Sequence, residues 1–348
     1  MDSLSQIVLG GALAAAVAPA GHRRAALLAG AALGTLPDLD SFVMLPMDLD
    51  PVAMMTWHRG PSHSLFVLLP LAFLIWAGFR ALGGRVAESP GRWFAAIALA
   101  LVTHPVLDAF TVYGTQLWWP MPVSPAMWSS LFIIDPLYTL PLLVACVLAW
   151  SWRERDAARR ALVVGLALST AYIGWSLTAK WLVDRQAERT LAALGLQDAP
   201  RFSVPMPFNT LLWRVVVMTP EGFLEGERSL VADSGPMVFR AHPSDTQTLA
   251  RVGDYAAVRR LQWFNHGYMK AEVRDRQLVL SDLRMGAEPD YTFRFVVAER
   301  EGLGWREIPP QQISWPWEAS RRLSQMWNRI WEAPPAPEAD GAATQAAR

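Results

Sequence analysis

The side chains best suited to chemistry fall in three short blocks. The first is Pro37-Asp38-Leu39-Asp40, the second His58-Arg59-Gly60-Pro61-Ser62-His63-Ser64, and the third His104-Pro105-Val106-Leu107-Asp108. Each borders an apolar run, where ionisable groups are costly unless they serve a function or pair with one another. Imidazole combined with carboxylate is a ligand set that suits zinc, with manganese or iron as alternatives, better than calcium. A catalytic ion in such a set makes water more acidic, so the chemistry to expect is hydrolysis by metal-activated water.

Spacing says how the blocks can meet. His104 and Asp108 are four apart, so a helix presents both on one face, which suits metal ligation and a histidine–carboxylate hydrogen bond equally. His58 and His63 are five apart and do not align on a helix. Gly60-Pro61 interrupts them, which leaves His58 in a loop and puts His63 in the first turn of the next helix, both able to face one point. Asp38 and Asp40 follow a proline at a helix end, one to bind metal and the other to orient a ligand or a second ion. The candidate ligands are therefore Asp38, Asp40, His58, His63, His104 and Asp108, for one or two divalent ions.

Catalytic roles fall to His58 and to Arg59, whose guanidinium either stabilises developing negative charge or pairs with Asp38 or Asp40. Ser62, Thr111 and Gln116 are candidates for substrate contact, although a serine beside a proline-started helix is as readily a cap. Asp135, before Pro136, either accepts a hydrogen bond from a ligating imidazole or orients its own helix. Arg214 and Arg284 either reach over the site or stabilise their own sheet. No serine has an identifiable base and acid in triad order.

The elements that must hold these residues are apolar helices. The 348-residue chain is 52% hydrophobic with 17 tryptophans, which suits a protein that meets a bilayer interface. Residues 64–82, 93–110, 131–150 and 161–181 are each near the ~20 residues a crossing needs, whereas 4–18 and 25–36 are short and Gly/Ala-rich. The latter read as tightly packed short helices, a re-entrant pair or a buried hairpin. Arginines cluster after the first run (Arg23, Arg24), around residues 80–92, and at 153–160. The positive-inside rule makes these connections cytoplasmic and puts residues 37–63, 111–130 and everything after Lys180 on the periplasmic side of a bacterial inner membrane. The start, Met1-Asp2-Ser3, lacks the basic region of a cleavable signal peptide. Formal net charge is zero, so no nucleic-acid partner is expected. The one cysteine, Cys146, lies in an apolar run and excludes an intrachain disulfide.

After Lys180 charges become frequent and apolar runs shorten to strand length. Trp213–Met218, Gly222–Val231, Tyr268–Val273, Gln277–Leu283 and Tyr291–Ala298 read as strands. Helix is expected within 245–260 and over Ser320–Trp331, where Trp327 and Trp331 share a face. The expected class is mainly α: a polytopic helical membrane domain over 1–183, a smaller soluble α+β domain over 184–333, and a disordered Pro/Ala-rich tail from Pro334.

These blocks resemble the YdjM family of bacterial inner-membrane proteins, classed as metal-dependent hydrolases. The matching residues run Gly34-Thr35-Leu36-Pro37-Asp38-Leu39-Asp40, then His58 to Ser64, then His104-Pro105-Val106-Leu107-Asp108-Ala109-Phe110-Thr111 and on to Pro120. The resemblance covers residues 1–180, and the stretch Pro207 to Arg214 is similar to the extension of a longer subgroup. One departure stands out: Gln6 occupies the region where shorter members carry a histidine, which bears on whether a second ion binds. More distantly, the ordered His/Asp set is similar to zinc-dependent phospholipases C and single-strand nucleases. That likeness implies a phosphoester or lipid-like substrate, with the bilayer itself as partner. The rival reading is a non-catalytic binding, assembly or transport protein whose metal holds helix ends together.

Overall fold

Polar residues fix where each apolar helix begins and ends. In the computed structural model, which describes residues 1–314 and 319–334, Asp2 caps α1 (Ser3–Val17), accepting from the amides of Leu4 and Ser5. α2 (Arg23–Thr35) continues through a 3₁₀ turn at Leu36–Leu39 into the short α3 (Asp40–Met44). Asp50 caps α4 (Pro51–Trp57), and Ser64 caps α5 (Leu65–Ala81), its hydroxyl accepting from the Phe66 amide. A short α6 (Gly84–Glu88) precedes α7 (Pro90–Ala109). Asp135 caps α8 (Pro136–Trp152), and α9 (Asp156–Ala193) closes the bundle.

The bundle has two chemically different ends. At one, the Arg23 guanidinium bonds the carbonyl of Arg155, Arg24 Nε bonds that of Trp150 (2.9 Å), and His22 meets Glu88. At the other, Ser5 meets Thr139, and Gln6 reaches the carbonyl of His104 (3.1 Å). All three candidate blocks lie at this second end. α1 is the central element, packed against α2, α7, α8 and α9. Its glycines make that possible: a Cβ on Gly30 would sit 2.2 Å from the Gly10 carbonyl oxygen, and one on Gly10 would sit 2.3 Å from that of Gly30. Gly30→Val therefore forces α1 and α2 apart. We expect a loss of about 1–3 kcal/mol or more, typical of overpacking, read as a lower unfolding midpoint of the detergent-solubilised protein; an unchanged midpoint would contradict this helix contact.

By length and composition, Ala20–Met47 (28 residues), Pro90–Ala109 (20) and Asp156–Ala193 (38) are long and apolar enough to cross a membrane. Pro51–His63 with Leu65–Ala81, bent by 50°, makes a fourth when taken as one span. This differs from the sequence expectation in two places. The helices that fall at 64–82 and 131–150, α5 and α8, are 17 residues each, or ~25 Å at 1.5 Å per residue, short of a full ~30 Å hydrocarbon core, so α5 counts as a span only together with Pro51–His63. The segment read as the short run 25–36 instead belongs to a long helical stretch.

The chain beyond α9 forms two four-stranded antiparallel sheets. The first holds β1 (Arg201–Pro205), β2 (Leu212–Thr219), β3 (Gly222–Ser229) and β4 (Phe239–Pro243) in that order. Helices α10 (Thr246–Arg251) and α11 (Ala256–Phe264) lead into β5 (Met269–Arg274) and β6 (Gln277–Asp282). A small hairpin, β7 (Gly286–Ala287) and β8 (Asp290–Tyr291), precedes β9 (Arg294–Glu301) and β10 (Gly304–Gln312), and the second sheet runs β10-β9-β6-β5. α12 (Ala319–Trp331) buries Ile330 against the first sheet and leaves Trp327 and Trp331 exposed, edge to face at 5.9 Å. Apart from Pro334, the expected tail lies outside the described residues. The whole is mainly α, with a smaller α+β region.

The expected break at residue 183 falls inside α9. Its last turns place Ala179, Val183, Ala187 and Leu191 under Trp213, Val215 and Val217 of the first sheet. The second sheet shares a core with the site end of the bundle: Val52, Met55 and Tyr113 pack with Val258, Leu261 and Phe264. The C-terminal region is thus built onto the loops that carry the candidate residues.

Candidate metal centre

His63 lies in a 3₁₀ turn (Pro61–His63) that α5 follows, and His104 and Asp108 occupy the last two turns of α7. Asp38 lies in the 3₁₀ turn after α2. These four residues bring one ligand atom each to within 4.8 Å of one another. His63 Nε2 is 3.1 Å from His104 Nε2, 3.3 Å from Asp38 Oδ1 and 3.2 Å from Asp108 Oδ2. His104 Nε2 is 3.4 Å from Asp38 Oδ1 and 3.5 Å from Asp108 Oδ2. A tetrahedral ion with ligand bonds near 2.0–2.1 Å requires donor–donor edges of about 3.3–3.4 Å. The five observed edges bracket that value.

The hydrogen-bond network shows what the cluster lacks. His104 Nδ1 faces the Gly34 carbonyl (2.6 Å), which only accepts, so the proton is on Nδ1 and Nε2 carries a lone pair. The Ser62 hydroxyl donates to Asp40 Oδ2 (2.7 Å) and therefore accepts from His63 Nδ1 (2.9 Å), which bares His63 Nε2 in the same way. Asp108 Oδ2 is buried with no hydrogen bond among the described residues. Apart from Arg59 Nε, 3.3 Å from Asp108 Oδ2, no donor meets these four acceptors among the described residues, an arrangement that a cation between them satisfies. The residues fit one divalent ion.

Around the four, other side chains hold position. Asp108 Oδ1 takes the Met1 amino group and Gln6 Nε2 (3.0 Å). Gln6 thus turns its amide nitrogen to the site, not the carbonyl oxygen that a ligand role would use. Arg59, in a left-handed backbone conformation at φ 63°, sets Nε 3.3 Å from Asp108 Oδ2. Its terminal nitrogen bonds Thr111 Oγ1 (3.2 Å), and its guanidinium stacks on the Tyr113 ring at 4.9 Å. Arg59 therefore pairs with Asp108, and with neither Asp38 nor Asp40. Tyr113 bonds the Met55 carbonyl (2.8 Å), and burial pushes its phenol pKa up, keeping it a neutral donor.

Several expected roles change. Asp40 and His58, expected as ligands, lie outside the cluster. They bond each other (His58 Nδ1 to Asp40 Oδ1, 2.9 Å), because the turn at Arg59-Gly60 leaves His58 on the outer side while His63 points in. Asp40 also receives the Arg59 amide (3.1 Å) and the Ser62 hydroxyl, so it orients His63 through Ser62. Ser62, Thr111 and Gln116, expected along the substrate's path, bond within the chain; Thr111 donates to the Asp108 carbonyl (2.7 Å), and Gln116 to that of Thr56 (2.7 Å). Asp135 does not reach a ligating imidazole. It caps α8 and accepts from the Tyr172 hydroxyl (2.9 Å), and burial raises its pKa.

Of the two C-terminal arginines able to reach over the site, Arg284 does so and Arg214 does not, while Arg260, which no motif marks, also reaches in. Arg284 donates to the Tyr113 carbonyl (2.7 Å) while bound to Asp282, and Arg260 bonds the Thr56 hydroxyl. Arg214 stays within its own region, on Glu225 and the Leu283 carbonyl. If Asp40 acts by orienting His63, Asp40→Asn leaves all four donors in place yet lowers metal affinity about 10–100-fold, as loss of an outer partner does. Competition with a chromophoric chelator measures this, and an unchanged affinity would remove Asp40 from the design.

A family model described as the YdjM inner membrane protein matches residues 1–183, just over half of the chain. The chain belongs to this family. The matched YdjM region contains the four converging residues and Arg59, His58 and Asp40, and it ends inside α9. The sheets beyond it lie outside the match. No curated protein and no solved structure matches the chain.

Proposed function

We propose that this YdjM-family protein is a membrane-bound, metal-dependent hydrolase acting on a phosphoester, in a lipid-like substrate, with zinc as its ion. The observation that carries the reading is the convergence of four bare acceptors beside an oriented histidine. When bound, the ion supplies Lewis acidity and makes water acidic enough to act as nucleophile near neutral pH. The chain's own groups supply the rest. His63, His104 and Asp108 side chains are fully buried, whereas Asp38 is 22% exposed, so approach is from the Asp38 side. His58, 25% exposed and 5.9 Å ring to ring from His63, has its Nδ1 fixed by Asp40. We assign its Nε2 the role of giving a proton to the leaving group. Arg59 holds Asp108 and adds positive charge where an anionic substrate gathers negative charge.

The arginine-rich end of the bundle is then cytoplasmic, which places the metal centre and the C-terminal region on the periplasmic side of a multi-pass inner-membrane protein. One observation favours a second reading. Four protein donors already complete a tetrahedron, as in ions that only fasten structure, so a non-catalytic assembly or transport protein is the rival.

Turnover separates the two. Detergent-purified, zinc-loaded protein is assayed on a panel of phosphodiesters that includes phospholipids. The hydrolase reading expects zinc-dependent turnover that His58→Gln lowers by about 10²–10⁴-fold, the usual range for a general acid, with zinc content unchanged. Full zinc occupancy with no turnover across the panel favours the structural reading.

A further inference from the structure

Between the first two motif blocks the chain makes an excursion, from Leu39 through α3 and α4 to Trp57, with side chains of two opposite kinds. Met44, Val52 and Met55 are buried, the last two in the core shared with Tyr113 and α11. Phe42, Val43 and Leu45 are 70%, 67% and 68% exposed, and Met47, Met54 and Trp57 are also exposed. A contiguous apolar surface of this kind on a folded protein marks an interaction site.

We propose that this excursion is a flap seated in the lipid bilayer, with the exposed side chains in the outer part of the acyl region. Three observations select lipid over a protein partner. The flap is continuous with a span: the apolar helical stretch that starts at Ala20 extends to Met47, and so includes Phe42, Val43 and Leu45. It lies at the same end of the bundle as the N-terminus of α5, whose Phe66 and Leu69 are exposed apolar side chains of a bent candidate span. Its charge pattern is that of an insertion edge, because residues 41–47 carry no charge and the carboxylates Asp48 and Asp50 stand together at the turn that follows. No lysine or arginine occurs from 25 to 58, so seating is driven by apolar area and needs no anionic lipid.

The flap's two ends are bordered by site residues: Asp38 precedes it, Asp40 opens its first helix, and His58 follows it. Lipid depth at the flap and geometry at the metal centre are therefore mechanically joined, with Arg260 lying over Trp57 at 5.5 Å as the tie to the C-terminal region. The claim concerns the surface and stands whether or not the site is catalytic. Combined with the hydrolase reading, it selects an amphiphile that stays in the leaflet while its headgroup reaches Asp38.

Nitroxide depth measurement tests this on the full chain reconstituted in neutral phosphatidylcholine vesicles. With Cys146→Ser as background, Phe42→Cys, Val43→Cys and Leu45→Cys are labelled one at a time. Leu74→Cys in α5 serves as the lipid reference, and Leu303→Cys in the β9–β10 turn as the water reference. The expected result is an oxygen-to-nickel collision ratio at 42, 43 and 45 well above that at 303 and below that at the deeper position 74, unchanged between low and high salt. A ratio matching position 303 overturns the proposal by placing the flap in water. Labels shielded from both reagents also overturn it, since a second copy or another protein then covers the face.

Discussion

Replacing His63 with alanine is expected to abolish stoichiometric metal binding, with affinity falling by more than the ~10–100-fold that loss of an outer partner costs. His63 Nε2 lies 3.1–3.3 Å from each of the other three donors, so its removal opens three edges of the tetrahedron at once. The variant should still fold, because the hydrogen bond that His63 Nδ1 makes is to the Ser62 hydroxyl, which keeps Asp40 as a partner. Asp108→Ala should differ in kind. It also removes the metal, but it strands the buried Arg59 guanidinium, and a buried charge left unpaired costs about 3–5 kcal/mol. Metal titration beside thermal unfolding separates the cases: His63→Ala loses metal alone, whereas Asp108→Ala loses both metal and stability. Wild-type affinity in His63→Ala would mean that the four acceptors are not a metal centre.

The second large effect lies outside the matched region. Arg284 is buried and bound to Asp282 through two nitrogens, with a third contact to the Tyr113 carbonyl and a fourth to that of Phe264 (3.1 Å). Gly114, at φ 104°, leaves room for it; a Cβ there would lie 3.3 Å from the Arg284 terminal nitrogen. Arg284→Met should destabilise the protein by about 3–5 kcal/mol, because Asp282 remains buried without its partner. Adding Asp282→Leu should recover much of the loss, since replacing both members of a buried pair by apolar side chains is often neutral. Chemical denaturation in detergent measures both variants. A single variant as stable as wild type would mean that the C-terminal region does not depend on this ion pair.

Much of the site was legible in the sequence, and the errors have physical causes. Asp38, His63, His104 and Asp108 lay among the six candidates because types and spacing restrict which side chains can meet. Composition cannot separate a ligand from the group that orients it. Asp40 and His58 have the right chemistry, but the turn at Arg59-Gly60 and the Ser62 hydroxyl decide which nitrogen and which carboxylate face inward. Asp135 shows the same limit, since an aspartate before a helix-opening proline caps that helix whether or not an imidazole is near.

In the fold, the central strands β2, β3, β6 and most of β9 were legible from their β-branched and aromatic runs, as was the edge strand β5, which contains no proline. β1, β4 and β10 were not, and each is the edge of its sheet. Edge strands tolerate proline and polar residues, and these contain Pro205, Pro243 and the pair Pro309-Pro310. Tyr291, expected to open the last apolar strand, instead belongs to the small β7–β8 hairpin, and the long strand starts at Arg294. The join between the halves was legible only as two arginines able to reach over the site, for another reason. It depends on Arg284 and Arg260 meeting loops more than a hundred residues away, and no local pattern records that.

The central claim is that one divalent ion sits among two imidazole nitrogens and two carboxylate oxygens. X-ray absorption at the zinc edge of detergent-purified, zinc-loaded full chain, with metal content measured on the same sample, tests it directly. The account predicts about one zinc per chain in a four-coordinate nitrogen and oxygen shell near 2.0–2.1 Å, with outer scattering from two histidine rings. Zinc below stoichiometry, or a shell of oxygen alone without imidazole scattering, would contradict it.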